Sequence, residues 1–281
     1  MVTFDAIRYK EIERAVYSKT AESYSKYGGA IFESMASPLL KGANLKSGYR
    51  VLDVACGIGI PSLDAARSVL PGGSVVGIDL APGMVEFARK RASDIGLPNM
   101  EFQEGDAEKL PFSEASFNVV LCHLGLIHFT DRLQALREMF RVLRKGGLLA
   151  ISVWSTLERT LVIGIVSKAV AELWPGAVVP GAPSWFDLGG EGILERFLSD
   201  AGFKSIQIKR YDFPLKVDDS EAYWKTVLGV SGRLQMLLSN IPPDVAREIE
   251  ARARTEAEKY RKGAFLLIPC EEVVAWGKKE A

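Results

Sequence analysis

Residues 51–59 read VLDVACGIG. Val51, Leu52 and Val54 surround Asp53 in a short apolar run, the composition of a strand buried inside a parallel sheet. Gly57 and Gly59 come next, one residue apart, where the backbone can bend tightly and approach a ligand closely. The segment PSLDAARSV (61–69) then reads as a helix with Pro61 at a tolerated early position. Free N–H groups at a helix start suit a polar or anionic group. A strand, a glycine turn and a helix can serve several nucleotides, or simply connect two elements. The ligand has to be read from the rest of the chain.

Strands and helices alternate from 51 to 153, the signature of a parallel sheet with helices on its faces. SVVGIDL (74–80) is the second strand and PGMVEFARKRASDIG (82–96) its helix. MEFQEGDA (100–107) is the third strand and FNVVLCHL (117–124) the fourth. DRLQALREMFRVL (131–143) is an amphipathic helix with Leu133, Leu136, Met139, Phe140 and Leu143 on one face. Lys145-Gly146-Gly147 stops it, and LLAISVW (148–154) is the fifth strand. Upstream, residues 5–27 form a helix with Ile7, Ile12, Ala15, Val16 and Tyr24 on its apolar side, and AIFESMASPLL (30–40) forms a second helical piece. Downstream come the helix EGILERFLSDAGF (191–203), ended by Gly202, and the strand SIQIKRYDF (205–213). Two or three helices occupy 218–262, with EEVVAWGKK (271–279) as the last strand.

Bulk composition excludes several classes. Lys plus Arg number 35 and Asp plus Glu number 35, so no net field draws a polyanion, and no nucleic-acid partner is expected. The three cysteines, Cys56, Cys122 and Cys270, are scattered without metal-ligand spacing or a disulfide framework. MVTFDAIRYKEIERAV (1–16) mixes acids and bases without an apolar core, so it is not read as a signal peptide. GGLLAISVW and TLVIGIV are too short to span a bilayer. The expectation is a reduced, cytoplasmic, metal-independent protein, monomer or homodimer, with no membrane span.

Three carboxylates narrow the ligand. Asp79 ends the second strand twenty residues beyond Gly59, where a carboxylate can accept both hydroxyls of a ribose. The turn Gly57-Ile58-Gly59-Ile60-Pro61-Ser62 lacks the third glycine of the dinucleotide fingerprint. Asp53 lies inside the first strand, where an acid can fix the loop and meet a ligand's cationic end. Asp106, in EGDAEKLPF (104–112), stands at the end of the third strand, positioned to accept from an adenine amino group.

In order and spacing, VLDVACGIG, VVGIDLAPGMVEFARKRA, EGDAEKLPF, FNVVLCHLGLIHFTD and REMFRVLRKGGLLAIS resemble the class I S-adenosylmethionine-dependent methyltransferases. Within them the chain is most similar to the small-molecule branch that includes the ubiquinone and menaquinone C-methyltransferases. The match spans about residues 45–155, with a looser one at LERFLSDAGF. The resemblance implies an α/β, Rossmann-like sheet of seven strands, order 3-2-1-4-5-7-6, parallel except for the last. It also implies roles for particular residues. Asp53, Ala55, Cys56, Gly57 and Gly59 would embrace the methionine part of S-adenosyl-L-methionine. Asp79 would bind the ribose. Gly105, Asp106 and Ala107 would hold the adenine edge, with Leu80 and Met84 on its face. Cys122 and His123 would touch the cofactor's amino group through the backbone. Two positions depart from the family pattern: Asn118 replaces an Asp, and Ile127 stands where His is frequent.

Methyl transfer from a sulfonium is an in-line displacement in which the protein orients the partners and excludes water. A base is needed only where the nucleophile must lose a proton. The chain has two histidines, His123 and His128, both in the segment expected over the cofactor, and an unperturbed imidazole titrates near ~6.5. Both are candidate catalytic residues. His128 can instead pack against or cap the start of the next helix, and His123 can touch the cofactor without moving a proton. All five tryptophans lie after the cofactor motifs. Trp154, Trp185, Tyr223 and Trp224 are candidates for an aromatic substrate wall, as any of them is for plain core packing. Tyr24 and Tyr27 are candidates for a lid, Tyr24 on the cofactor side and Tyr27 on the substrate side.

The organisation expected is an N-terminal helical cap (1–44) and a cofactor-binding core (45–154). A substrate-lid insertion (155–187), a continuation of the core (188–217), a helical insertion (218–262) and the last core strand (263–281) complete it. In 244–262 a thin apolar stripe of Val245, Ile249, Ala253 and Tyr260 reads as a solvated lid helix. The activity expected is methyl transfer to carbon or oxygen of a small, apolar or aromatic acceptor. An RNA or protein methyltransferase, a non-catalytic S-adenosylmethionine-binding module and, more distantly, a nicotinamide dehydrogenase stay open. Charge neutrality and the lack of an Asn/Asp-Pro-Pro-Tyr/Phe motif after the fourth strand weigh against nucleobase nitrogen as acceptor.

Overall fold

The computed structural model describes residues 4–177 and 181–280, so Val178, Val179 and Pro180 of the Pro/Gly-rich segment lie outside the described residues. β1 (Arg50–Val54) runs up the middle of a sheet between β2 (Ser74–Asp79) and β4 (Phe117–His123), with β3 (Met100–Glu104) beyond β2. β5 (Leu143–Trp154), β10 (Glu271–Lys278) and β6 (Lys204–Asp212) complete the order 3-2-1-4-5-10-6. Within this sheet β10 runs opposite to the other six strands. Counted within this sheet β10 is the seventh strand, so the topology is the expected one. Val51, Leu52 and Val54 are completely buried, which is why this stretch reads as nearly continuous apolar sequence; each contributes roughly 1.5–3 kcal/mol of burial.

α2 (Ser62–Ser68), α3 (Pro82–Asp94), α4 (Arg132–Val142) and α6 (Ile193–Asp200) are the crossover helices. α5 (Leu161–Leu173), α7 (Ser220–Val230), α8 (Gly232–Ser239) and α9 (Pro243–Glu258) build a helical layer past the end of β5. A second sheet of three short strands, β7 (Leu215–Val217), β9 (Phe265–Ile268) and β8 (Arg261–Lys262), joins this layer to the core.

Four local expectations need correction. The N-terminal region is one helix, α1 (Ala6–Ala43), rather than two pieces. Gly28 stays helical because α7 and Phe32 press against it: a β-carbon there would lie 2.7 Å from Val230 and 2.5 Å from the Phe32 ring. The expected apolar side of this helix is also wrong, since Ile7 is 75% exposed while Glu13 and Thr20 are buried. Next, α4 ends at Val142 and the succeeding strand begins directly at Leu143, with Gly146 (φ 76°) taken into the strand at a register shift against β4. Finally, the thin stripe of α9 runs through Ala257 rather than Tyr260: Ile249, Ala253 and Ala257 are fully buried against α5 and α7, while the charged face stays exposed.

α1 also lies against α3, backbone to backbone. A β-carbon on Gly83 would sit 2.1 Å from the Ser18 carbonyl oxygen, an atom that cannot swing away. Gly83→Ala is therefore expected to force the two helices apart at a cost of about 1–3 kcal/mol, read as a drop in thermal midpoint of several degrees. An unchanged midpoint would mean that α1 does not rest on α3 in solution.

Candidate cofactor and active site

Three strand tips converge at one end of the sheet. Beyond β1 the chain turns through Ala55 (φ 57°), Gly57 (φ 51°) and Gly59 (φ 91°). The left-handed conformation of Ala55 costs on the order of 1 kcal/mol, so its surroundings must hold the turn. The Cys56 N–H donates to the Ile78 carbonyl (3.0 Å), and the Gly57 N–H donates to Asp79 Oδ2 (2.8 Å). The other Asp79 oxygen accepts from the Ala81 N–H (2.9 Å) at the start of α3. One carboxylate thus ties the glycine turn to the neighbouring helix. Burial pushes the Asp79 carboxyl above its ordinary range, against the pull of these N–H donors. A β-carbon on Gly57 would meet nothing within 4 Å, so the turn faces open space.

Asp53 sits beneath the turn, completely buried, and accepts from the Ser62 hydroxyl at the head of α2; its Oδ1 has no partner. Burial first, and then the charge of Asp79, push its carboxyl up to about 8. Asp53 does not line the cavity above the turn. Cys56 and Gly59 also face inward, packed with Leu63, Ala88 and Phe102, and Cys122 is fully buried. These four positions shape the turn from below.

The cavity itself is about 130 Å³. Ala55 and Gly57 from the turn, and Asp79, Leu80 and Met84 from the β2–α3 junction, form one side. Gly105, Asp106 and Ala107 after β3 form the next, and His123 and His128 after β4 close the third. α1 lies across the top with Lys10, Glu13, Arg14, Tyr17 and Tyr24. Small-ligand sites usually enclose roughly 300–1,000 Å³, more than this one holds with α1 side chains among its lining. Lys10 bridges Asp106 (2.7 Å) and Glu108 (2.6 Å). Burial works against the Lys10 ammonium, but these two carboxylates outweigh it and hold its pKa above the usual lysine range. Glu108 is fixed in turn by the Thr130 N–H and hydroxyl and the Asp131 N–H.

The two histidines are held differently. His128 ends a single 3-10 turn, Leu126–His128, and its Nδ1 lies 2.8 Å from Glu13 Oε2 of α1, with the Tyr17 ring edge-on at 5.2 Å. It does not cap α4, whose N-terminus is capped by Asp131. His123 ends β4 and is buried, its Nδ1 2.8 Å from the Ser152 hydroxyl and 3.2 Å from Glu272 Oε1.

None of the aromatic wall candidates lines the cavity. Trp154 is nearest: its ring lies 6.4 Å from Phe32, which stacks on Tyr24 at 4.8 Å. Tyr27 packs against Gly229 of α7. Tyr223 is wholly buried and donates to the Val162 carbonyl (2.9 Å), while Trp224 is buried in the helical layer. Trp185 is partly buried beneath the Arg233 guanidinium (5.2 Å).

Sequence reasoning missed Lys10, Glu13, Tyr17, Glu108 and Glu272. For α1 a signal was present: Lys10, Glu13, Tyr17 and Tyr24 recur at helical spacing on one face, but the face is polar, so a search for apolar periodicity passes over it. Among the described residues no group of three or more His, Cys, Asp or Glu is arranged to hold a metal ion, and no helix is long and apolar enough to cross a membrane.

A seven-stranded sheet with this order and an antiparallel last strand, carrying acids at the tips of β2 and β3 around a glycine turn, defines a class I methyltransferase. Residues 45–189, more than half of the chain, match the methyltransferase-domain family, and the chain belongs to it. Its relatives include a demethylmenaquinone methyltransferase of Lactococcus lactis, 34% identical over 143 residues (49% of this chain and 56% of that one). Another, from Oceanobacillus iheyensis, is 27% identical over 222 residues, covering 73% of this chain and 90% of the relative. The chain thus spans little more than half the length of the Lactococcus protein. Among solved structures, the YcgJ protein of Bacillus subtilis superposes with a TM-score of 0.57 at 22% identity, over 87% of this chain and 97% of that one. Phosphoethanolamine N-methyltransferase 2 of Haemonchus contortus, in complex with S-adenosyl-L-methionine, gives 0.60 at 18% identity over 94% and 57%. At these identities both likenesses concern the fold alone.

Proposed function

We propose that the chain is an S-adenosylmethionine-dependent methyltransferase that alkylates carbon or oxygen of a small, apolar or aromatic acceptor. The observation that carries the reading is the pair Asp79 and Asp106, from adjacent strand tips, opening onto one cavity with the glycine turn. This donor set suits an adenosine: a carboxylate for the ribose hydroxyls, another for the adenine amino group, and Leu80 and Met84 for the ring face. S-adenosylmethionine supplies a methyl group made electrophilic by the sulfonium.

The protein's part is to bind, orient and keep water out. Ala55 and Gly57 would receive the methionine portion, and Ala107 would offer its N–H to the adenine ring. Lys10 has to leave Asp106 for adenine to take its place, so α1, with Tyr24, acts as a cover that lifts and recloses. Trp154 and Phe32 would border the acceptor, while 155–187 and 218–262 form its enclosure and the remaining segments the core. Three buried free cysteines and the absence of a spanning helix among the described residues fit a cytoplasmic enzyme, monomer or homodimer. The relatives named for demethylmenaquinone favour a quinol-like acceptor methylated at carbon.

The test is transfer of a labelled methyl group to a panel of quinols, phenols, sterols and small amines. Label in a quinol or phenol product is the expected result. Tight cofactor binding with no transfer to any member would favour a sensor module instead.

A further inference from the structure

A carboxylate buried without a hydrogen bond is expensive enough to demand an explanation. Glu272 is one: it is completely buried on β10, and neither of its oxygens has a hydrogen-bond partner. Its charge partner among the described residues is the His123 ring, whose Nδ1 lies 3.2 Å from Oε1. The same Nδ1 meets the Ser152 hydroxyl at 2.8 Å, and Ser152 also accepts from the Leu124 N–H at 3.2 Å. Three neighbouring strands, β4, β5 and β10, therefore bring one imidazole, one hydroxyl and one carboxylate together on the same face of the sheet. With Nδ1 occupied, Nε2 is the free ring nitrogen, and it too is buried without a partner. His123 lines the cofactor cavity and Glu272 does not.

We propose that Glu272 is a positioning residue that makes His123 the general base for an acceptor carrying a weakly acidic hydroxyl. The proposal rests on the methyltransferase function proposed for the chain. A carboxylate beside Nδ1 fixes the tautomer and stabilises the imidazolium that forms when Nε2 takes a proton. In the step itself the acceptor O–H bond breaks and an N–H bond forms at Nε2. The electron pair left on oxygen, or delocalised from it to a ring carbon, forms the new bond to the methyl carbon, and the S–CH₃ bonding pair returns to sulfur. For carbon methylation the displaced ring proton restores the hydroxyl, so one proton leaves the acceptor in either case. The imidazolium and Glu272 are then a neutral pair, which a buried site tolerates far better than a lone charge.

His128 is the rival base. Its Nδ1 meets Glu13 of α1 in the same way, but Glu13 also faces Arg233 at 3.5 Å and sits on the helix that has to lift for the cofactor, whereas Glu272 belongs to the sheet and stays beside His123. The ionisable groups that share the cavity with His123 are Asp79, Asp106, Glu108 and His128, with Lys10, Glu13, Arg14, Tyr17 and Tyr24 on α1; just before β10, the Cys270 thiol is pushed up to about 12 by burial and then by the Glu272 charge.

Two measurements test this. The chain has two histidines, so imidazole NMR of the 281-residue chain, assigned with His128→Gln, follows His123 without any turnover. Glu272→Gln is expected to turn His123 from one tautomer, with the proton on Nδ1 and Nε2 bare, into a mixture, read from the chemical shifts of the two ring nitrogens, and Glu272→Asp to restore much of the original pattern. In the transfer assay Glu272→Gln is expected to reduce kcat about 100-fold with cofactor affinity unchanged. That loss should shrink to a few-fold on a phenol already ionised at the assay pH, whereas a merely structural defect would persist on both acceptors. An unmoved tautomer pattern, or an equal loss on both phenols, overturns the assignment. Failure of the wild type to bind S-adenosylmethionine instead overturns the methyltransferase reading, and this proposal with it.

Discussion

Asp79→Ala is expected to weaken S-adenosylmethionine binding by about 100-fold or more while moving the thermal midpoint by only a few degrees. The size comes from the two charge-assisted hydrogen bonds that the carboxylate would accept from the ribose hydroxyls, at roughly 1.5–3 kcal/mol each. Two effects on stability oppose one another. Losing Asp79 deprives the Gly57 and Ala81 N–H groups of their acceptor. Removing it also ends the cost of burying a carboxylate, the same cost that raises its pKa. Calorimetry with the cofactor and a melting curve without it separate the two. Asp106→Ala should lose less affinity, because Asp106 is more open and already shares the Lys10 ammonium. Unchanged cofactor affinity in Asp79→Ala would remove the ribose assignment, and with it the main support for the proposed function.

How far the sequence could be read depended on what each residue is buried against. β1, β2, β4 and the second half of β5 were legible because their side chains meet apolar neighbours on both faces, which leaves a nearly continuous run rich in Val, Leu and Ile. Asp79 was legible because it ends such a run, and Asp106 because it follows β3, an edge strand whose MEFQE buries only the central Phe102. α1 was not, since its inward face covers a polar cavity: Lys10 and Glu13 are chosen for Asp106 and His128, and charge pairing leaves no hydrophobic period. β7 and β8 hold three and two residues, too few to display alternation of any kind. Glu272 shows a third limit. In the sequence it is the second of two glutamates opening the last strand, yet Glu271 is ion-paired with Arg159 and Arg210 on one face while Glu272 faces His123 on the other. Only the pairing of three strands tells these neighbours apart.

Asp53→Asn is expected to gain stability relative to the wild type as the pH rises from about 4 to about 8. The native chain holds the Asp53 carboxyl near 8, whereas an unfolded chain releases that proton near 3.8. Below 3.8 both forms carry the proton and Asp53 behaves like its amide counterpart. Between the two values the unfolded chain ionises first, so each rise in pH draws the equilibrium toward unfolding, up to the folded-state value and no further. The contribution is present in acid and lost by pH 8, the reverse of a salt-bridged aspartate. Asn keeps an oxygen for the Ser62 hydroxyl and has no proton to lose, so the difference in urea-unfolding free energy between the two proteins isolates the effect, of order a few kcal/mol across the window. Since the Asp79 charge is among the causes of the shift, placing the pair in an Asp79→Asn background should move the window's upper limit downward. A flat difference from pH 4 to 8 would mean that Asp53 is ionised in the folded protein, and a charge beneath the turn would then face the methionine end of the cofactor after all.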